Sequence, residues 1–169
     1  MEQNSFKKGI VDGLPICIGY FAVSFAFGIF AVSNGLTWLE AVLISMTNLT
    51  SAGQLAGAPI IAGGGTFAEL AISQLVINSR YSLMSVSLSQ RLSGKVKLWQ
   101  RFIIAFGNTD EIFAVASSNK EKVGFKYMVG LILTPAIGWV SGTLTGAVAG
   151  NILPEIVISA LGLQFTECL

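Results

Sequence analysis

A single arginine, Arg80, stands inside the otherwise uncharged stretch 70–90, and two adjacent acids, Asp110 and Glu111, interrupt the apolar segment 102–117. A charge at the centre of an apolar helix costs about 2.5–3.5 kcal/mol on insertion scales, so such a residue marks a partner or an aqueous path. Asp110 and Glu111 are the natural partners of Arg80. Neighbouring carboxylates repel, which favours pairing or protonation of one of them. A cation beside a carboxylate can bind a zwitterion or relay a proton. Asn78 lies two residues before Arg80, about 200° away around a helix axis. The two share a site only near a break or across a cavity. A second reading ends the third apolar segment at Arg80, whose head then snorkels to the interface. It also makes 107–111 a polar loop with Asp110 as helix N-cap. Both readings interrupt the helix around Thr109.

A second polar patch, Thr47-Asn48-Leu49-Thr50-Ser51-Ala52-Gly53-Gln54, lies in a stretch free of charge and is followed by Gly57-Ala58-Pro59 and Gly63-Gly64-Gly65. Polar side chains, glycine and proline together predict a helix that unwinds partway. Broken backbone at membrane depth is tolerated only where protein buries it or where it lines a cavity. Freed N–H groups suit a carboxylate and freed carbonyls an ammonium group, which makes Ser51, Gly53 and Gln54 candidate ligands of a zwitterion. The alternative is a polar seam that hydrogen-bonds neighbouring helices. Glu69 follows the triple glycine and either complements a helix N-terminus or meets a substrate.

Soluble enzyme chemistry is poorly served. Histidine is absent, so no Ser-His-Asp set exists, and Gly63-Gly64-Gly65-Thr66 lacks the lysine of a phosphate-binding loop. Cys17 and Cys168 lie at opposite ends without metal-type spacing. A net charge of +1 offers no basic face to a nucleic acid. The chain therefore reads as no enzyme, with no metal and no cofactor, and with proton coupling left open.

These residues sit in an unusually apolar frame. The stretches 13–39, 41–68 and 127–154 carry no charge, hydrophobic residues make up 53% and charged residues 11% of the chain. Mean hydropathy is +0.71. A soluble domain usually carries about a quarter charged residues, and ~18 apolar residues suffice to cross a bilayer. The expectation is an all-α integral membrane protein, one transmembrane domain over residues 1–169, built as a polytopic helical bundle with broken or re-entrant helices. Segment one covers 13–32, closed by the turn Ser33-Asn34-Gly35, with Trp38 as an interfacial anchor. Segment two begins near Leu39, segment three covers 66–90, segment four 102–117, segment five 127–150, and a sixth apolar run 156–163. Lys7 and Lys8 before an apolar run resemble a signal peptide, but the run is too long for a signal core and reads as a retained first span. Segments one and five are rich in small residues, which let helices approach closely in lipid.

Charge distribution adds a constraint, because Lys and Arg favour the cytoplasmic side. There are three basic clusters: Lys7 with Lys8, residues 91–101, and residues 120–126. If every segment crosses, the first two fall on opposite sides. If segments two and four enter and return, all three clusters lie inside. Those are the two segments with broken, polar sequences. A faint echo also relates Pro15-Ile16-Cys17-Ile18-Gly19-Tyr20 to Pro135-Ala136-Ile137-Gly138-Trp139, and Leu39-Glu40-Ala41-Val42 to Pro154-Glu155-Ile156-Val157. Inverted repeats with broken helices are a recurring transporter design, so an inverted repeat belongs to the expectation.

Several motifs recur in order along nearly the whole chain. They are Gly13-Leu14-Pro15-Ile16 with Gly19-Tyr20 and Phe27-Gly28, then Ser51-Ala52-Gly53-Gln54, then Asn78-Ser79-Arg80-Tyr81-Ser82-Leu83-Met84-Ser85. Thr109-Asp110-Glu111-Ile112-Phe113-Ala114 and Gly138-Trp139 with Gly142, Gly146 and Gly150 complete the set. In order and spacing they resemble the AzlC family of branched-chain amino-acid exporters. The resemblance implies a multi-pass permease subunit of the bacterial cytoplasmic (inner) membrane that exports leucine, isoleucine, valine and methionine. It also implies a small, four-helix AzlD-type membrane partner. Substrate contacts are expected at Ser51, Gly53, Gln54, Asn78, Arg80, Thr109, Asp110 and Glu111. Family members usually continue through further apolar segments beyond the equivalent of Ala160-Leu161-Gly162, and the chain is expected to lack them. The competing functions are a channel or general-solute permease and a non-transporting assembly subunit.

Overall fold

Seven helices and no strand make up residues 4–152, the residues that this computed structural model describes. They are α1 (Phe6–Ser33), α2 (Trp38–Thr47), α3 (Ser51–Ala62), α4 (Phe67–Arg91), α5 (Leu98–Phe106), α6 (Asp110–Ser118) and α7 (Phe125–Ile152). The apolar run 156–163, Cys168 and the 154–157 half of the echo lie outside the described residues.

Local chemistry explains the boundaries. Helix α1 stops where Gly35 takes φ +90°, a region that favours glycine, and Asn34 donates to the Phe30 carbonyl at 2.8 Å. Thr37 and Glu40 then form a reciprocal capping box for α2: Glu40 N–H donates to Thr37 Oγ1 at 3.2 Å, and Thr37 N–H donates to Glu40 Oε2 at 2.7 Å. Thr66 and Glu69 repeat it at the start of α4, with Thr66 N–H donating to Glu69 Oε2 at 2.7 Å. Glu69 is thus a capping residue. Helix α3 ends at the triple glycine, where Gly64 has φ +69°.

Helices α1 and α7, of 28 residues each, are long and apolar enough to cross a membrane. Helix α4 has 25 residues, ~37 Å at 1.5 Å per residue, against a hydrocarbon core of ~30 Å. Its lower hydropathy reflects Glu69, Arg80 and Arg91. Arg80 is well inside it: the helix runs on to Arg91, so segment three does not end at Arg80.

The chain forms two compact units, Met1–Gly19 with Asn78–Ile137, and Tyr20–Ile77 with Gly138–Leu169. Helices α1, α4 and α7 contribute a stretch to each. In the second unit, Phe27, Phe30, Ala31, Leu36, Ala41, Ala58 and Ala147 form one core cluster. A Cβ at Gly28 would strike the backbone of Thr143 and Ala147, and one at Gly142 or Gly146 would strike the backbone of Phe21 or Phe25. The small residues therefore set backbone-to-backbone packing of α1 on α7. Gln54 of α3 reaches Ser45 of α2 at 3.0 Å; nine residues along a straight helix would separate them by ~13 Å. Ala58 shares the cluster with Ala41. Helix α3 thus folds back along α2, and segment two is a hairpin of two short helices.

The first unit contains a second such hairpin. Trp99 at the start of α5 packs edge-on against Phe125, with ring centroids 5.5 Å apart. Asn119, just past α6, donates to the Tyr127 hydroxyl at 3.1 Å. Both ends of the α5–α6 pair therefore meet the first turn of α7. Segment four is two nine-residue helices, starting at Leu98 and folded at Gly107-Asn108-Thr109. Thr109 is the N-cap, and Asp110 occupies the first helical position, not the cap. At ~14 Å each, these helices reach about halfway through a bilayer core. The basic loops converge at the open end of this hairpin. Leu92 pairs with Val123 in an isolated bridge, Ser93 N–H donates to the Val123 carbonyl at 2.9 Å, and Asn4 donates to the Lys122 carbonyl at 3.1 Å. The helix order long–short–short therefore repeats, with Asn48 and Asn108 sixty positions apart in the two folds. That spacing differs from the 120-residue offset of the sequence echo.

Candidate functional site

In the second unit the fold between α2 and α3 is organised by amide side chains. Gln54 is fully buried, and its Nε2 donates to Ser45 Oγ at 3.0 Å and to the Asn48 carbonyl at 2.7 Å. Ser45 and Thr143 hydroxyls meet at 2.7 Å. Asn48 Nδ2 donates to Gln74 Oε1 at 3.2 Å, and Gln74 Nε2 donates to the Gly53 carbonyl at 2.8 Å. Gly53 N–H donates to Thr50 Oγ1 at 2.9 Å, which caps α3. A Cβ at Gly53 would press on Gln74, Thr50 and Asn48, so this glycine makes room for the network. Ser51, at the first position of α3, is exposed. Gln54 and Gly53 thus belong to a hydrogen-bonded seam joining α2, α3, α4 and α7, and Gln54 Oε1 is buried without a partner among the described residues.

In the first unit Arg80 meets Asp110 at 2.8 Å across the fold between α5 and α6. The guanidinium also donates to the Tyr81 hydroxyl at 3.0 Å and lies 4.9 Å from the centroid of that ring. Both ion-pair side chains remain half exposed, at 55% and 46%. Arg80 lies eleven positions before Arg91, ~16 Å along α4 from the end that carries the basic loops. The pair therefore sits near the middle of α4, away from both helix ends. Thr109 is buried, and its Oγ1 accepts from Ile112 N–H at 3.4 Å. Asp110 and Glu111 occupy the first turn of α6, where negative charge complements the helix dipole. Glu111 is exposed and Asn78 half buried.

The candidates therefore fall into two groups, Ser51, Gly53 and Gln54 in one unit and Asn78, Arg80, Thr109, Asp110 and Glu111 in the other. Asn108 is a residue that sequence reasoning missed. It is 4% exposed, its Nδ2 donates to Ser85 Oγ at 3.2 Å, and its Oδ1 is buried without a partner among the described residues. The usable signal was Asn48, which precedes a capping threonine at the other fold as Asn108 does at this one. A second missed group is Asp12, which accepts from Lys8 Nζ at 2.7 Å and from the Tyr127 hydroxyl at 2.8 Å. Its i,i+4 spacing from Lys8 was visible, but the partner Tyr127 is far away in sequence.

The AzlC protein family model matches residues 15–153, the stretch that contains both folds. The chain belongs to the AzlC family. Among relatives, it is 32% identical over 151 residues to the inner membrane protein YgaZ of Escherichia coli (strain K12), covering 87% of this chain and 62% of that protein. It is 34% identical over 158 residues to an uncharacterized membrane protein of Archaeoglobus fulgidus, covering 92% and 68% respectively. It is 22% identical over 152 residues to the branched-chain amino acid transport protein AzlC of Bacillus subtilis (strain 168), covering 87% and 58%. This AzlC-family chain thus spans only 58–68% of the length of these relatives. No solved structure matches it. The family and the relatives' names make it a membrane protein and point to transport, not to catalysis.

Proposed function

We propose that this chain is a polytopic permease subunit that exports branched-chain amino acids, leucine, isoleucine and valine with methionine as a further substrate, across the cytoplasmic membrane. It would work with a small AzlD-type partner. The observation that carries this reading is the Arg80–Asp110 pair at 2.8 Å, held half open at the fold of a helical hairpin ~16 Å inside α4. A zwitterion can exchange into such a pair, its carboxylate taking Arg80 and its ammonium taking Asp110. The buried, unpartnered acceptor Asn108 Oδ1, two residues from Asp110, would offer the ammonium a further hydrogen bond on opening of the fold. Broken helices at mid-membrane sites are a recurring transporter feature, and Asp110 with Glu111 offers carboxylates for proton coupling. The family membership and the transport name of the Bacillus subtilis relative support the substrate class.

The test compares intracellular leucine, valine and methionine in dipeptide-loaded cells with and without the full-length protein and its partner. Faster leucine loss that saturates and is competed by valine is the expected result. Flux that does not discriminate leucine from unrelated solutes would indicate a general-solute permease, and no change would indicate an assembly subunit.

A further inference from the structure

The basic loops of the first unit enclose a hollow of about 490 Å³, lined by Lys95, Lys122, Lys126, Asn4, Ser93 and Gln100, with Phe125 at its edge. Among the described residues no carboxylate lines it; Glu121, in the same loop as Lys122, is not among its walls. Three lysines lining one hollow with no carboxylate among its described walls give it a positive potential that favours a bound anion. The walls are fixed by backbone contacts: Asn4 donates to the Lys122 carbonyl at 3.1 Å and accepts from Gly124 N–H at 2.7 Å. Helix α5 starts beside this hollow, since Trp99 packs against Phe125. Leu98, Trp99, Phe102, Ile103 and Phe106 are all exposed. Their spacing of i, i+1, i+4, i+5 and i+8 puts them on one helix face. That apolar stripe leads away from the hollow for ~14 Å.

A ligand that fits both features carries an anionic head and a long apolar tail joined end to end. We propose that this surface binds an anionic phospholipid, with its phosphate head among Lys95, Lys122 and Lys126 and an acyl chain along the exposed face of α5. Basic pockets at the cytoplasmic ends of membrane helices take anionic headgroups, and Trp99 stands at the head–chain boundary where such rings settle. Free phosphate shares the head chemistry but leaves the α5 stripe uncovered.

Quenching of tryptophan fluorescence tests the assignment, with the purified full chain in neutral micelles titrated with brominated phosphatidylglycerol or brominated phosphatidylcholine. Phosphatidylglycerol should quench at far lower mole fraction, and Trp99→Phe should remove most of that quenching. Each lysine near the surface is worth roughly fivefold in binding, so Lys95→Gln/Lys122→Gln/Lys126→Gln should weaken it about a hundredfold. The triple arginine variant should bind within a few fold of wild type, and Lys7→Gln, outside the hollow, should change little. Equal quenching by both lipids would overturn the proposal. So would a Lys7→Gln loss as large as that of the triple glutamine variant, or full displacement of the lipid by millimolar inorganic phosphate.

Discussion

At the scale of single residues, the structure distinguishes two acids that the sequence leaves equivalent. Asp110 contacts Arg80 at 2.8 Å, whereas Glu111, one position on, turns about 100° around α6 and is exposed. In lipid an orphaned charge is costly, so the two members of the pair should depend on each other. Arg80→Gln and Asp110→Asn should each reduce membrane yield and abolish leucine export. The double variant should recover yield, with a coupling of roughly 0.5–3 kcal/mol. Export should stay lost, because the zwitterion would still lack its binding charges. Arg80→Gln combined with Glu111→Gln should show a smaller coupling than the Asp110 double variant, because the Glu111 charge acts on Arg80 more weakly. Thermal melting in detergent of the full set of variants checks this, and additivity for Asp110 would remove the pair from the mechanism.

At the scale of elements, both helical hairpins depend on how tightly their folds can be covered. Gly107 closes α5 with φ −92°, a value any residue adopts, so its need for glycine is purely steric. A Cβ there would collide with the side chain of Ile132 on α7. Gly107→Val should therefore lower the melting temperature, by an overpacking cost of about 1–3 kcal/mol. Adding Ile132→Ala should return part of that loss, since the collision partner is gone. A double variant less stable than the sum of the single losses would mean that Gly107 serves some other purpose. The other fold is held differently, by the amides of Gln54, Asn48 and Gln74.

At the scale of the whole molecule, the constraint concerns sidedness. Asn4, Ser93, Lys122 and Val123 meet at one place in the first unit, so the segments around them lie on one side of any membrane that α1 crosses. Single cysteines at Ser5, Ser93 and Lys122, in a background lacking Cys17 and Cys168, should all resist an impermeant thiol reagent added to intact cells. All three should label once the cells are permeabilised. External labelling of Ser93→Cys alone would require α2 and α3 to cross as one span, against the Ser45–Gln54 contact. On the positive-inside tendency, the side expected for all three is the cytoplasmic one.

The sequence by itself determined the apolar character of the chain, both breaks and several helix ends, though not the starts of α1 at Phe6 and α5 at Leu98. These rest on short-range chemistry: charge-free runs, glycine with positive φ at Gly35 and Gly64, and threonines that cap their own helices. Charge counting also raised an arrangement with all three basic clusters on one side, and the structure brings the segments around Asn4, Ser93 and Lys122 together. Long-range partners were another matter. Ser45 with Thr143 and Asp12 with Tyr127 join residues about a hundred positions apart, and a lone serine or threonine in an apolar run carries no mark of its partner. Whether Arg80 ends a helix or lies within one, and which of two adjacent acids it meets, also escaped the sequence. Those outcomes depend on the direction each side chain takes around α4 and α6 and on the turn at Gly107, which brings Asp110 to the guanidinium.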